Sequence, residues 1–192
     1  TRPVAPWARG GDDAPPPSGT RPAVTTTARV TADGLLRFRN EALRCAIGRG
    51  GISADKREGD GATPTGLLPL RRVLWRADRG PRPATTLPCE PIAPQDGWQP
   101  GGGDDPAQAD YNRAIRLPHP ARHERLWRED AVYDVMAVLG WNDAPVQRGR
   151  GSAIFLHVAR ADFAPTEGCV ALPERELRRV LAAGLTAIEV TA

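Results

Sequence analysis

The sequence predicts a mainly β domain, and three observations carry that reading. Asp33-Gly34 separates two runs rich in apolar and β-branched residues, a strong signal for a two-residue hairpin turn. Apolar runs of strand length recur along the chain, each bounded by Gly, Pro, Asn or Asp. Only one segment, 173–183, carries a full set of helix start and stop signals.

In chain order, residues 1–21 carry Pro3, Pro6, Pro15, Pro16 and Pro17 among Gly, Ser and Thr. Such a stretch buries too little apolar surface to offset its ordering entropy and reads as a flexible tail or linker. Residues 22–192 then suit one domain. Segments 25–32 and 35–40 are the hairpin strands, and 43–47 continues as a strand until Gly48 and Gly50-Gly51. The polar loop KREGDGATPTG (56–66) follows; Pro64 and Gly66 fix a turn, and Lys56, Arg57, Glu58 and Asp60 read as solvated. LLPLRRVLW is strand-like, whereas 77–110 is rich in Pro, Gly and Asp and reads as one long loop, of a length usually functional or mobile.

A short helix is expected near 121–129 and a strand at 131–139, after which Asn142-Asp143-Ala144-Pro145 turns the chain. GSAIFLHV (151–158) is nearly all apolar, as in a strand covered on both faces. In the helix, Pro173 suits the first position, Glu174 and Glu176 the first turn, and Gly184 the stop, with Leu177, Val180 and Leu181 as the buried stripe. LTAIEV (185–190) closes as a strand.

Net charge is +3, and Lys56 is the only lysine among 26 basic residues. Acidic residues are interspersed with the arginines, so the concentrated basic stripe of a nucleic-acid binder is missing and that class ranks last. No apolar run approaches the ~18–20 residues that cross a bilayer. The chain opens on Thr1 rather than Met, as an exported precursor that has lost its signal would. With three cysteines, a Cys45–Cys89 bridge would leave Cys169 free; an unlinked, buried pair is the alternative. Asp104, Asp105 and Asp110 read as a flexible acidic loop, and His119 and His123 lack a third ligand, so no metal or cofactor is expected.

The chemistry resides in the segment from His157 to Cys169. A histidine ends a buried strand, a loop follows, and Gly168-Cys169 precedes the helix. An unperturbed thiol, with a pKa of about 8.5, is only slightly ionised at neutral pH, and a loop returning to the strand end brings Cys169 a base in His157. Gly168 allows a tight turn in which the amides of Gly168 and Cys169 face one substrate oxygen as an oxyanion hole. By spacing alone a buried structural cysteine is the default reading.

Thr166-Glu167-Gly168-Cys169 with the upstream His157 resembles the Ser/Thr-His-Gly-Cys signature of the YkuD (ErfK-like) L,D-transpeptidases. Thr63-Pro64-Thr65-Gly66 matches that family's Thr-Pro-x-Gly turn, whose following strand borders the substrate groove. KREGDGATPTG, DGW…DDP…YN, ERLWRED and GSAIFLH extend the likeness to a subgroup over about residues 43–183. The resemblance implies a β-sandwich-like catalytic domain with short helices. It also implies a two-step reaction on peptidoglycan stem peptides in the periplasm. Cys169 acylates itself on a stem-peptide carbonyl, and an amine of a second stem resolves the thioester, with His157 carrying the proton. A backbone carbonyl commonly orients that histidine, and carbapenem-type β-lactams are expected to acylate the cysteine. The sequence departs at Glu167, where the family has His, and at Ala171, where it has Asn or Arg; the opened donor bond is therefore expected to be atypical.

Arg160 is a candidate carboxylate ligand or the partner of Glu167, with a solvated arginine as the alternative. Arg150, Thr166, Trp98 and Tyr111 complete the candidate substrate residues; Trp98 and Tyr111 either wall a groove or pack the long loop onto the core. A cysteine carboxypeptidase or endopeptidase with the same reactive pair, and a catalytically silent peptidoglycan-binding module, are the rival functions.

Overall fold

A computed structural model describes residues 26–100 and 109–192. The proposed tail at 1–21 and Asp104 and Asp105 lie outside the described residues. In chain order the strands are β1 (Thr27–Thr31), β2 (Leu35–Phe38), β3 (Glu41–Arg44), β4 (Ile52–Ser53), β5 (Thr63–Pro64), β6 (Gly66–Trp75) and β7 (Cys89–Pro91). They continue with β8 (Asp96–Gln99), β9 (Arg113–Arg116), β10 (Glu124–Arg125), β11 (Val135–Leu139), β12 (Phe155–Val158), β13 (Val170–Leu172) and β14 (Ala187–Thr191). One α-helix, α1 (Glu174–Ala182), and a 3-10 turn at Ala131–Tyr133 are the helical elements among the described residues.

The mainly β reading therefore holds. The main sheet runs β13-β12-β11-β6-β14-β1-β2-β3, with β7 also against β6, while β10-β8-β9 and β4-β5 form two smaller sheets. β12 pairs with β11 antiparallel and with β13 in parallel. Alternation sorts the side chains of these strands onto two faces. Leu156, Val158, Val170 and Leu172 join Val135, Ala137 and the Leu177, Val180 and Leu181 stripe of α1 in the larger core. Phe155 and Cys169 point the other way, into a second cluster with Met136, Tyr133 and Trp98, under the small sheet. The unbroken apolar run through β12 thus follows from cover on both faces.

Several details differ from the sequence expectations. The first hairpin has a three-residue loop, Ala32–Gly34, because Thr31 pairs with Leu35 and Gly34 takes φ +72° with its amide on Thr31 O. Pro173 is the cap residue, not the first helical one: its ψ of 142° is extended, and its carbonyl accepts the Leu177 amide. The strand expected at 43–47 ends at Arg44; residues 46–49 instead bridge to the loop around Cys169. The long loop contains β7 and β8. No helix forms at 121–129. That run contributes β10, since Glu124 and Arg125 pair with Trp98 and Gly97, and the expected strand at 131–139 begins as the 3-10 turn. Cys45, Cys89 and Cys169 are all free thiols, with Cys45 in the larger core.

Candidate active site

His157 and Cys169 are brought to one face by strand register. His157 stands opposite Ala171 in the β12–β13 ladder, so Cys169, two residues before Ala171 and just ahead of β13, has its side chain on the same face, in the cluster with Phe155. The Cys169 thiol donates to Ala153 O at 3.3 Å and accepts the Phe155 amide at 3.3 Å. In this resting arrangement no hydrogen bond joins it to His157.

The turn before Cys169 is held from several sides. Thr166 Oγ1 donates to Cys169 O at 2.6 Å and accepts the Gly168 amide at 3.1 Å. The Gly168 N–H is thereby occupied, which corrects its expected role as one of two free oxyanion donors. Glycine is required at 168 on two counts: φ is +132°, and a Cβ there would come within 2.8 Å of Ala62 O. Ala62 leads into the Thr63–Gly66 turn, whose buried Thr63 hydroxyl accepts the Gly48 amide at 2.8 Å. Arg49 N donates to Thr166 O and Thr166 N to Ile47 O, so this segment clasps the loop.

His157 is buried and hydrogen-bonded through Nδ1 to Val158 O at 2.9 Å. With Nδ1 as donor, Nε2 carries the lone pair of a base. Burial pulls the imidazole pKa down to about 4, and the charges of Arg128 and Arg160 add to that effect. The ring is neutral at physiological pH and ready to take a proton. Burial pushes the Cys169 thiol up to about 12; Glu124 and Glu167 reinforce this, while the Phe155 amide and Lys56 oppose it. Both groups are therefore neutral at rest.

The remaining sequence candidates separate clearly. Arg160 lies near the pair but donates to Asp130 at 3.1 Å rather than to Glu167. Glu167 is largely exposed and is held by Arg49 at 2.9 Å. Trp98 is buried: its ring meets Phe155 edge-on at 5.2 Å, and its Nε1 donates to Asn112 Oδ1 at 3.1 Å. It also backs an open groove of about 410 Å³ beside Asn112, Arg113 and Trp141. Tyr111 is buried with its hydroxyl on Glu58 at 2.7 Å. Arg150 is exposed, and its carbonyl accepts the Trp141 indole N–H; its side chain is not brought to the reactive pair.

Sequence reasoning missed three sets of residues. Lys56, expected in solvent, is 2% exposed; its ammonium is bonded to Asp60 and to Arg57 O at 2.7 Å, and it packs beneath Gly151. Glu58 joins this buried group by accepting from Tyr111 and from Ser152 at 2.8 Å, which ties the loop to the approach of β12. Asn112 makes four side-chain hydrogen bonds, to Trp98 Nε1, Ala153 N, Trp141 O and Asn142 O. The third set is Glu124, Arg128, Asp130 and Tyr133. The Tyr133 ring stands edge-on to His157 at 5.4 Å, its hydroxyl donates to Glu124, and Arg128 lies over its other side at 5.2 Å. The ERLWRED run that supplies three of these four residues was legible as part of the family likeness but was assigned to a helix.

Searches against curated proteins and against solved structures returned no match. The family profile described as the L,D-transpeptidase catalytic domain, YkuD, matches residues 23–186, most of the chain. Its members act on the peptides of peptidoglycan. The chain, with its histidine on β12 and its Gly-Cys turn leading into the neighbouring β13, belongs to the YkuD family of L,D-transpeptidase catalytic domains.

Proposed function

We propose that this protein is a peptidoglycan L,D-transpeptidase that works through a Cys169 thioester outside the cytoplasm, where its substrate lies. The observation that carries the proposal is the shared face of Cys169 and the neutral, carbonyl-oriented His157. Rotation about the Cys169 Cα–Cβ bond turns the thiol from Ala153 O toward His157 Nε2. Sulfur then attacks a stem-peptide carbonyl as its proton passes to the imidazole. The tetrahedral intermediate collapses, the C–N bond breaks, and the leaving amine takes that proton. The Phe155 amide, already on sulfur, stabilises negative charge there, and the Cys169 amide is the remaining candidate oxyanion donor. An amine of a second stem attacks the thioester, forming the crosslinking amide and expelling the thiol. Carbapenem-type β-lactams enter the same first step through their strained carbonyl.

Glu167 in place of the family histidine supports an atypical donor bond, because an ionised carboxylate only accepts hydrogen bonds. Product masses from purified muropeptides test the reading. Amine-dependent crosslinked products support transfer, whereas trimmed products with water alone as acceptor make the protein a carboxypeptidase or endopeptidase. Absence of any product leaves a silent binding module.

A further inference from the structure

Glu124 is a carboxylate near the reactive pair that the mechanism above does not use: it holds the hydroxyl of Tyr133, whose ring stands edge-on to His157. It sits on β10 opposite Trp98, whose ring packs on Phe155, the residue whose amide touches the Cys169 sulfur. One carboxylate oxygen accepts from Tyr133; the other accepts no hydrogen bond among the described residues. Its nearest cation, Arg128, stays 3.9 Å away, because the Arg128 guanidinium is spent on Asp130 at 2.7 and 2.8 Å. The Glu124 side chain is 27% exposed, so it is reachable from the surface yet poorly neutralised.

An anion here is a handicap in the first step, since its field works against thiolate formation. Once sulfur is acylated that handicap disappears. The second step has the opposite need: a side-chain amine with a pKa of about 10.4 arrives as an ammonium ion, and roughly one molecule in 2,500 is the free base at pH 7. An ammonium entering a partly buried site requires a carboxylate to receive it.

We infer that Glu124 is the acceptor-side residue: it binds the incoming ammonium of the second substrate beside the Cys169 thioester and takes its proton. This rests on the acyl-transfer reading above. In the step, the ammonium gives one proton to Glu124 and the freed amine forms the C–N bond. The C–S bond breaks, and the second nitrogen proton passes through His157 to the departing sulfur. The Glu124 proton then returns to solvent. Burial raises the Glu124 carboxyl pKa while the Tyr133 hydrogen bond and the charges of Arg128 and Arg122 lower it, and Asp130 raises it again. The net upward shift makes it a better proton acceptor than an exposed glutamate.

The test compares wild type, Glu124→Gln and Glu124→Asp with one stem-peptide donor and three nucleophiles: Nα-acetyl-lysine amide, hydroxylamine and water. Hydroxylamine is neutral at pH 7 and needs neither ammonium binding nor deprotonation. For Glu124→Gln, transfer to the lysine amine should fall at least tenfold relative to hydrolysis, and the deficit should shrink as pH rises toward the amine pKa. Acylation should not fall below wild type, because removing the anion relieves the Cys169 thiol, and hydroxylamine transfer from the formed thioester should stay within about twofold, which also reports an intact fold; Glu124→Asp should be intermediate in amine transfer. An unchanged amine-to-water ratio in Glu124→Gln overturns the inference, as does an equal loss with all three nucleophiles, which marks a packing role. Wild type that never transfers to the amine overturns both this inference and the transpeptidase reading.

Discussion

Asn112 holds Ala153 in the conformation that receives the nucleophile. Its Oδ1 accepts the Ala153 amide at 3.0 Å, and Ala153, at φ +53°, turns its carbonyl to the Cys169 thiol 3.3 Å away. A left-handed alanine costs of order 1 kcal/mol or more and persists only when its surroundings enforce it. Asn112 is itself at φ +56°, which asparagine tolerates better than most residues.

Asn112→Ala should therefore destabilise the fold by about 2–4 kcal/mol, because one buried and three part-buried partners lose their hydrogen bonds. Acylation should slow by more than stability alone explains, since Ala153 is released. Asn112→Asp keeps the Oδ1 contact to Ala153 and should recover more of the acylation rate than of the stability. Denaturant midpoints and single-turnover acylation rates, measured at a temperature where every variant is folded, separate the two effects.

Gly168→Ala should be worse than an ordinary loop substitution, at about 2–4 kcal/mol, because positive φ and the Ala62 carbonyl both oppose a side chain. Thermal unfolding of this variant beside Gly149→Ala checks the claim. Gly149 also has positive φ, but a Cβ there meets nothing within 4 Å, so the difference isolates the contact.

The buried, neutral His157 should make the protein acid-sensitive. Its folded pKa, about 4, lies below the ordinary 6.5. The unfolded chain therefore binds a proton at this residue in the window where the folded protein does not. Its contribution is complete above pH 6.5 and is lost as pH falls toward 4, by up to about 3 kcal/mol. Unfolding free energy against pH should fall more steeply for wild type than for His157→Gln across that window. Parallel curves would mean that His157 is protonated freely in the folded state.

How much of this was legible in the sequence follows from where each residue's partner lies. The buried strand between two cores was readable from its unbroken apolar run, and the Gly-Cys turn from local pattern, but the pairing of His157 with Cys169 rested on the family likeness, since by spacing alone the cysteine reads as structural. Lys56 was misread because its burial depends on Asp60, on the Arg57 carbonyl and on Gly151, and the last contact is remote in the chain. Glu124 and Arg128 were misread because a charged run with helical spacing gives no sign that Glu124 and Arg125 will pair edge-to-edge with Trp98 and Gly97. A pairing of Arg160 with Glu167, its near neighbour in sequence, was one of three open readings; the fold gives each of them a distant partner, Asp130 and Arg49.

Glu167→His should change which donor peptides are used while leaving the thiol reactive, because Glu167 points outward onto Arg49 and its charge acts on Cys169 less than that of Glu124. Crosslink types from both proteins on the same muropeptides provide the check. Identical spectra would reduce Glu167 to a loop tie.

In the proposed reaction Cys169, with His157 as its base, forms the acyl-enzyme. Intact mass and peptide mapping after a carbapenem or a stem-peptide donor test it most directly. One adduct is expected, on Cys169 and not on Cys45 or Cys89, absent in Cys169→Ala and strongly slowed in His157→Ala. Labelling of Cys45 or Cys89 at a comparable rate, or full acyl transfer by Cys169→Ala, would contradict it.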